Sequence, residues 1–413
     1  MVINSLRLSS GDINVLEIDN HNYLNTSVNI KDLQNIIENN WYVPRFRIFV
    51  LYHDETVSYE IPQDDIVVGG SYSENYQNGQ RRSLSFSLYN DDGKYNPNIN
   101  IFWAGTRLRL DVGLELNSGD VIWVKKGIFV IDQINPIQQS GNNLVQISAN
   151  DKFGLFEGKT GTLEDTYEIP EGSDIEQIIS GILLSDMGNG QSFDTREFIY
   201  HSSFKGKKTQ VIISKSAGET FGSILLELAT QLSAEIFYNS EGMLNIIPID
   251  EVSLDNNKPL LYHYDIEEGD VDSLGFNFDM NEIVNRVIVI GVSKTGGVCK
   301  AIAVNDDVSS PLCYQRIGYR TGSIINDSNI TTNYLAEERA AYELRRTLIM
   351  QSATNINVNI NPLLSVNNLI SLTGEFFELN QERFLIQGIS FSLDYSNIMS
   401  ISLSNIKNLP GIM

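Results

Sequence analysis

The residues best placed by type to do chemistry are Asn90-Asp91-Asp92-Gly93, inside SLSFSLYNDDGKYNPNINIFWAGTRLRLDV at 83–112, where carboxylate and amide oxygens could furnish calcium ligands. An EF-hand loop needs ligands at alternate positions over about twelve residues and a closing bidentate Glu. Lys94, Tyr95, Asn96 and Pro97 follow instead, and no Glu closes the loop. Asn and Asp beside Gly are equally the residues of tight turns, through side-chain to backbone hydrogen bonds and tolerance of left-handed φ. A turn is the expected reading. In GLFEGKTGT at 154–162, Gly154, Gly158, Lys159 and Thr160 imitate a phosphate-binding loop one residue short. Such a loop needs a helix starting right after the Lys. Leu163 to Glu171 runs through Pro170 without helical period, so a Gly-rich interdomain link is expected.

Hydrolytic and metal chemistry fare no better. His21, His53, His201 and His263 lie far apart, with no paired spacing for zinc. His53-Asp54-Glu55 sets one of them beside two carboxylates, and a solvated turn explains that cluster as well as a site does. Gly291-Val292-Ser293-Lys294-Thr295-Gly296 approaches a nucleophile elbow but has Thr where the second Gly belongs. Cys299 and Cys313 are too few for a disulfide framework or zinc site, which leaves a single bridge between them open. Carboxylate pairs can be drawn anywhere among 52 acidic residues, so they carry no signal. Tyr89, Tyr95, Phe102 and Trp103 could form a sugar-stacking platform or plug a barrel end. No catalytic, cofactor-binding or metal residue is assigned, no interface residue is located, and no cofactor is expected.

The elements that would position these residues are mostly strands. Arg45 to Tyr52, Ser83 to Leu88, Thr106 to Leu114, Val121 to Ile131 and Leu144 to Ala149 alternate apolar and polar residues, as half-buried antiparallel strands do. Many such strands at short spacing suggest a sandwich or barrel. Between them, Ser173 with Glu176 and Ser216 with Glu219 are spaced as capping boxes ahead of two amphipathic helices. A hairpin about Asn239-Ser240-Glu241-Gly242 follows. Later, Leu335, Ala340, Leu344 and Leu348 place a helix at about 333–350. The expected fold is β-rich α+β: two similar antiparallel β-barrel domains with a small α/β domain between them. The divisions are an N-terminal extension at 1–44 with a short helix near Ile30 to Ile37, a first barrel at 45–157, the α/β domain at 158–265 and a second barrel at 266–413. The stretches RLRLDVGLELNSGDVIWVKKGIFVIDQINPIQQSGNNLVQISAND and NLISLTGEFFELNQERFLIQGISFSLDYSNIMSISLSN form a weak internal repeat, too long for a solenoid and suited to a duplicated barrel.

Bulk properties narrow the function classes. The 413 residues suffice for several cores, with hydrophobic residues at 42% and charged ones at 20%. No apolar run approaches the ~20 residues that span a bilayer, and the N-terminus lacks the form of a secretory signal, so assembly in a bacterial cytoplasm without membrane insertion is expected. A net charge of −23 argues against stable nucleic-acid binding through phosphates.

Residues 72–114 resemble the first barrel of the baseplate hub proteins of contractile tails, found in tailed phages, phage-like particles and R-type bacteriocins. The resemblance rests on the run Arg81 to Leu88, NDDGKYNP, Trp103, Gly105-Thr106 and the strand closing at Gly113-Leu114. AEERAAYELRR, Asn361-Pro362, NNLISLTG and RFLIQGISFSLDY are similar to the second barrel, and GETFGSILLELATQLSAEIFYNSEGMLNIIP to the intervening domain. The resemblance covers about 45–407, and the first 44 residues are read as an added docking element. It implies a structural homotrimer without enzymatic activity. Its two barrels per chain would present a pseudo-sixfold ring to the hexameric tail tube protein and a threefold face to the central spike protein. The end of the tape-measure protein and the baseplate wedge proteins would lie nearby. Because the chain stops at Met413, no cell-wall-cleaving domain is expected. Three other readings stay open: a distal tail protein forming a true hexamer, a receptor- or carbohydrate-binding tail component using Trp103, and a hydrolase built on His53 or Cys313.

Overall fold

The computed structural model describes residues 42–96, 102–115, 119, 121–139, 142–248, 260–276, 283–293, 295–308, 310–327, 330–350, 354–394 and 396–405. The extension, including its expected helix, lies outside them up to residue 41, and Val43 and Pro44 already belong to the first strand.

In the first part of the chain, β1 (Val43–Leu51), β2 (Val57–Glu60), β3 (Ile66–Asn75), β4 (Arg82–Tyr89), β5 (Arg107–Glu115), β6 (Val121–Gln139) and β7 (Asn142–Asp151) pair in the spatial order β3-β4-β7-β6-β5-β1-β2. Period-two burial forms the inner face: Leu84, Phe86 and Leu88 on β4 and Leu108, Leu110 and Val112 on β5 are buried. On β6 that phase changes. Ile122 and Val124 face inward before Lys126, Phe129 and Ile131 after it, because a register shift opposite Leu110 and Asp111 leaves Lys126 as an extra residue.

The middle segment contains β8 (Tyr167–Ile169), α1 (Ile175–Leu183), β9 (Ile199–Tyr200), β10 (Ile213–Lys215), α2 (Phe221–Leu232), β11 (Ala234–Tyr238) and β12 (Leu244–Pro248), around its own apolar cluster. Both helices form where the sequence places them, but with other caps. Asp174, not Ser173, accepts the Gln177 N–H at α1, and Thr220, not Ser216, accepts the Ser223 N–H at α2. Ser173 Oγ instead donates to the Pro170 carbonyl. The hairpin forms as read, with Gly242 at φ 77°.

Next come β13 (Leu260–Asp265), β14 (Val271–Phe276), β15 (Arg286–Val292), β16 (Val298–Val304), α3 (Tyr314–Ile317), β17 (Ile325–Asn326), α4 (Asn333–Met350), β18 (Thr354–Asn359), β19 (Leu369–Gly374), β20 (Leu379–Leu393) and β21 (Ile398–Asn405). The strand at 260–265, expected with the α/β segment, pairs with β19 instead. β15, β16 and β17 form a small sheet against which α4 packs, and β14-β18-β21-β20-β19-β13 repeats the order of the first part.

The two parts thus match strand for strand, in space and along the chain: β1, β3, β4, β5, β6 and β7 correspond to β13, β14, β18, β19, β20 and β21. Details repeat as well. Phe129-Val130-Ile131 precedes a register shift against β7, and Phe384-Leu385-Ile386 precedes one against β21. Gly105 N–H donates to the Ile131 carbonyl at 2.8 Å, and Asn367 N–H to the Ile386 carbonyl at 3.0 Å. Both donors hold positive φ, 89° and 71°. One difference stands out: β1 runs antiparallel to β5, whereas β13 runs parallel to β19. β3 and β20 join the two parts into one sheet of thirteen strands, from Asn75 opposite Gly388 to Gly70 opposite Leu393. A single apolar core runs through both, with Phe391 stacked on Tyr72 at a 4.8 Å centroid distance across the join.

Candidate functional site

Buried charge is concentrated where the middle segment meets the large sheet. The turn between β1 and β2 presents Glu55, the start of β5 presents Arg107, the turn after β7 presents Lys152, and the middle segment adds Asp194, Arg196 and Tyr238. Lys152 Nζ lies 2.5 Å from Glu55 Oε1 and 2.6 Å from Asp194 Oδ2. Arg107 reaches the same Glu55 oxygen at 3.3 Å and donates to the carbonyls of His53 and Phe193. Arg196 takes the other Glu55 oxygen at 2.9 Å, and the Tyr238 hydroxyl donates to Asp194. Burial, then the adjacent Asp194, pushes the Tyr238 phenol well above its usual range.

A second cluster grips the turn between β3 and β4. Arg81 Nη2 donates to Glu235 Oε2 at 2.6 Å, with both side chains only 1% exposed. Tyr76 and Asn367 also donate to Glu235, and the Arg81 guanidinium lies 3.7 Å from the Phe237 ring centre. Asn78 donates to the Ala234 carbonyl and to the Tyr342 hydroxyl on α4. This turn therefore touches the first part, the middle segment and the last part together. Beside it, Arg82 pairs with Glu74 at 2.5 Å, and the Asp151 carboxylate accepts the backbone N–H groups of Arg81 and Arg82. Burial raises the Asp151 carboxyl to about 6 against those hydrogen bonds. Lys126 Nζ donates to the carbonyls of Leu364 at 2.7 Å and Pro362 at 3.2 Å, and burial lowers it to about 8.

Cations, hydroxyls and N–H groups hold these carboxylates. What the arrangement does is fix geometry: buried ion pairs penalise any alternative docking that strands a charge, even where they add little net stability. A cleft of about 390 Å³ between α2 and α4, lined by Gln231, Asp327, Leu335 and Arg339 among others, holds Lys215 paired with Glu227 at 2.8 Å.

The residues singled out in the sequence are not brought together. Asn90 to Asn96 is a turn: Asn90 Oδ1 accepts the Tyr95 N–H, Asp92 the Lys94 N–H, and Asp91 the Asn143 N–H. The glycine-rich stretch does meet a helix N-terminus, but as its acceptor. The Gly161 and Phe156 carbonyls take the N–H groups of Phe221 and Gly222, which occupies the donors a phosphate would need. His53 lends its carbonyl to Arg107 of the first cluster, and burial, then Arg107, lowers its imidazole. His201 caps a turn at Ser202, His263 bonds Ser371, and His21 lies outside the described residues. Ser293 closes the β15–β16 turn by accepting the Gly297 N–H. Cys299 and Cys313 are both free and buried. Phe102 and Tyr95 pack edge to face inside the sheet, while Trp103 and Tyr89 are exposed. Among the described residues, no group of three or more His, Cys, Asp and Glu is placed to hold a metal, and no helix is long and apolar enough to cross a membrane.

Sequence reading missed the clusters. Its available signal was charge in apolar phase: Glu74 between Tyr72 and Tyr76, Lys126 after Ile122 and Val124, and Glu235 inside Ala234-Glu235-Ile236-Phe237.

No family model matches the chain, and no curated protein matches it. Solved structures do. The 43 kDa tail protein of prophage MuSo2 from Shewanella oneidensis superposes with a TM-score of 0.57 at 17% identity, covering 89% of this chain and 99% of that one. The tail protein from Neisseria meningitidis MC58 gives a TM-score of 0.59 at 10% identity, with the same coverage of both chains. The β-rich chain therefore has the fold of these two tail proteins, and the tail-protein resemblance read in its sequence holds at that level.

Proposed function

We propose that the chain is the structural baseplate hub of a contractile tail, a homotrimer that joins the hexameric tail tube to a threefold central spike. The observation that carries this reading is the strand-for-strand duplication, with both copies joined in one sheet. Three such chains offer six equivalent units to a sixfold tube while remaining threefold toward the spike. Each unit is read as one barrel, at 45–157 and 266–413. The α/β domain at 158–265 lies between them, and the pairing of β13 with β19 supports a boundary ahead of Leu260 instead, with 260–265 given to the second barrel. The role is symmetry matching and load bearing, without catalysis, and the buried ion clusters suit it by fixing how the three parts meet. The tape-measure end and the wedge proteins complete the set of partners, in a virion or bacteriocin particle.

Copy number tests the reading. Imaging of assembled particles with counted copies is expected to give three per tail, whereas six would make the chain a hexameric distal tail protein. Glycan binding lost on Trp103→Ala would favour a receptor-binding component instead.

A further inference from the structure

The small sheet of β15, β16 and β17 is apolar on both faces, and α4 covers one of them. Val287 and Val289 on β15 and Cys299 and Ala301 on β16 are buried with Ala336 and Ala340 of α4. The alternate residues share the opposite face and stand directly across from one another: Ile288 with Ile302, Ile290 with Lys300, and Val292 with Val298. Val298 is 74% exposed, Val292 50% and Ile302 44%. Val287-Ile288-Val289-Ile290 is an unbroken β-branched run, the composition of a strand covered on both sides. A contiguous apolar face of this kind marks a surface that another segment covers.

The charge of this region differs from that of the rest of the chain. Against a net charge of −23, residues 286–326 hold Arg286, Lys294, Lys300, Arg316 and Arg320 with only Asp306 and Asp307 opposed, a net +3. Neither β15 nor β16 contains a carboxylate. Lys300 is exposed within the apolar face, and the Arg286 guanidinium at its end lies 4.8 Å from the Tyr319 ring centre. The occupant that fits is apolar and acidic.

We infer that the N-terminal extension of the same chain covers this face, through the stretch Ile13-Asn14-Val15-Leu16-Glu17-Ile18. Residues 1–41 carry Asp12, Glu17, Asp19, Asp32 and Glu38 against Arg7 and Lys31, a net −3 to set against the +3. The stretch brings Ile13, Val15, Leu16 and Ile18 to the exposed valines and isoleucines, while Asp12, Glu17 and Asp19 supply counter-charge for Lys300 and Arg286. The point of departure is favourable too. The Tyr42 hydroxyl donates to the Ile360 carbonyl at 2.9 Å and its ring packs beside Leu363, so the extension leaves from the last part of the chain, which also carries the small sheet. The 23 residues between Ile18 and Tyr42 span up to about 80 Å when extended, against about 27 Å for the length of α4. A tether of that length makes the contact intramolecular, which favours it over capture of a second copy. The inference is independent of the trimeric reading above.

Photo-crosslinking of the full chain tests it. p-Benzoylphenylalanine replaces Val298, an exposed position beside the Gly296-Gly297 turn, and the irradiated protein is separated by mass before peptide mapping. The expected result is a product with the mass of one chain, joined from position 298 to a peptide within residues 1–41. It is expected to be lost in Val15→Asp with Leu16→Asp, whose circular dichroism should match the parent's. Persistence in that variant overturns the assignment of the stretch. A product joined to residues 42–413, a product with the mass of two chains, or no product overturns the inference. So does a product formed only in assembled particles with a different protein, which would make the face a docking surface for that protein.

Discussion

Lys126 shows how one residue can work against a fold and for its geometry. The register shift on β6 turns it inward, where two carbonyls of the last part hold its ammonium, and burial lowers its pKa from 10.5 to about 8. The unfolded chain keeps this proton to higher pH than the folded one does. Stability attributable to Lys126 therefore rises as pH climbs from about 8 toward 10.5, when the folded state no longer buries a charge. Against Lys126→Met, which cannot titrate, the parent is expected to gain about 3 kcal/mol in urea unfolding over that window. A difference that stays flat with pH would refute the assignment. Glu235 tests the other cluster. Glu235→Gln keeps the shape but leaves the Arg81 guanidinium buried without its counter-charge, an expected loss of about 3–5 kcal/mol. Replacing both, as Arg81→Met with Glu235→Leu, is expected to cost less than Glu235→Gln alone. Equal costs in denaturant titration would mean that the charge pairing contributes nothing specific.

At the scale of elements, the glycine-rich loop and α2 form one unit. A Cβ on Gly161 would stand 2.0 Å from the Phe156 carbonyl oxygen, the same atom that caps the Gly222 N–H. Gly161→Ala is expected to push the loop off the helix end, losing about 1–3 kcal/mol and raising amide exchange across α2. Gly181 on α1 meets nothing within 4 Å, so Gly181→Ala is expected to stabilise by about 0.5–1 kcal/mol and serves as the control. Equal exchange in the two variants would show that the close approach carries no weight. Elements with one clean buried face were legible in the sequence, as Leu84, Phe86 and Leu88 on β4 and the stripe of α4 show. β3 was not read, because Gly69-Gly70 and buried Glu74 break its alternation; Gly70 is required where a Cβ would strike the Ser85 carbonyl at 2.6 Å. The outer half of β6 was lost behind Pro136 and the phase change at Lys126. The charge clusters were illegible for a different reason. Arg81 and Glu235 are 154 residues apart, and no local pattern couples them.

For the whole molecule, charge sets the conditions under which copies meet. Each chain carries −23, so copies brought together repel one another at long range. Hydrogen bonds and apolar contact between copies, by contrast, act only at short range. The Debye length falls from about 30 Å at 0.01 M salt to about 8 Å at 0.15 M, which screens the repulsion while leaving such short-range contacts intact. Self-association is therefore expected to strengthen as salt rises over that range, opposite to an assembly held by complementary surface charges. Sedimentation equilibrium of the full chain at the two ionic strengths checks this. Weaker association at 0.15 M would show that attractive charge pairs dominate the contact, and would point to the Arg45–Glu115 pair on the first sheet, partly exposed at 39% and 30%, as a place where such pairs could be exchanged between chains.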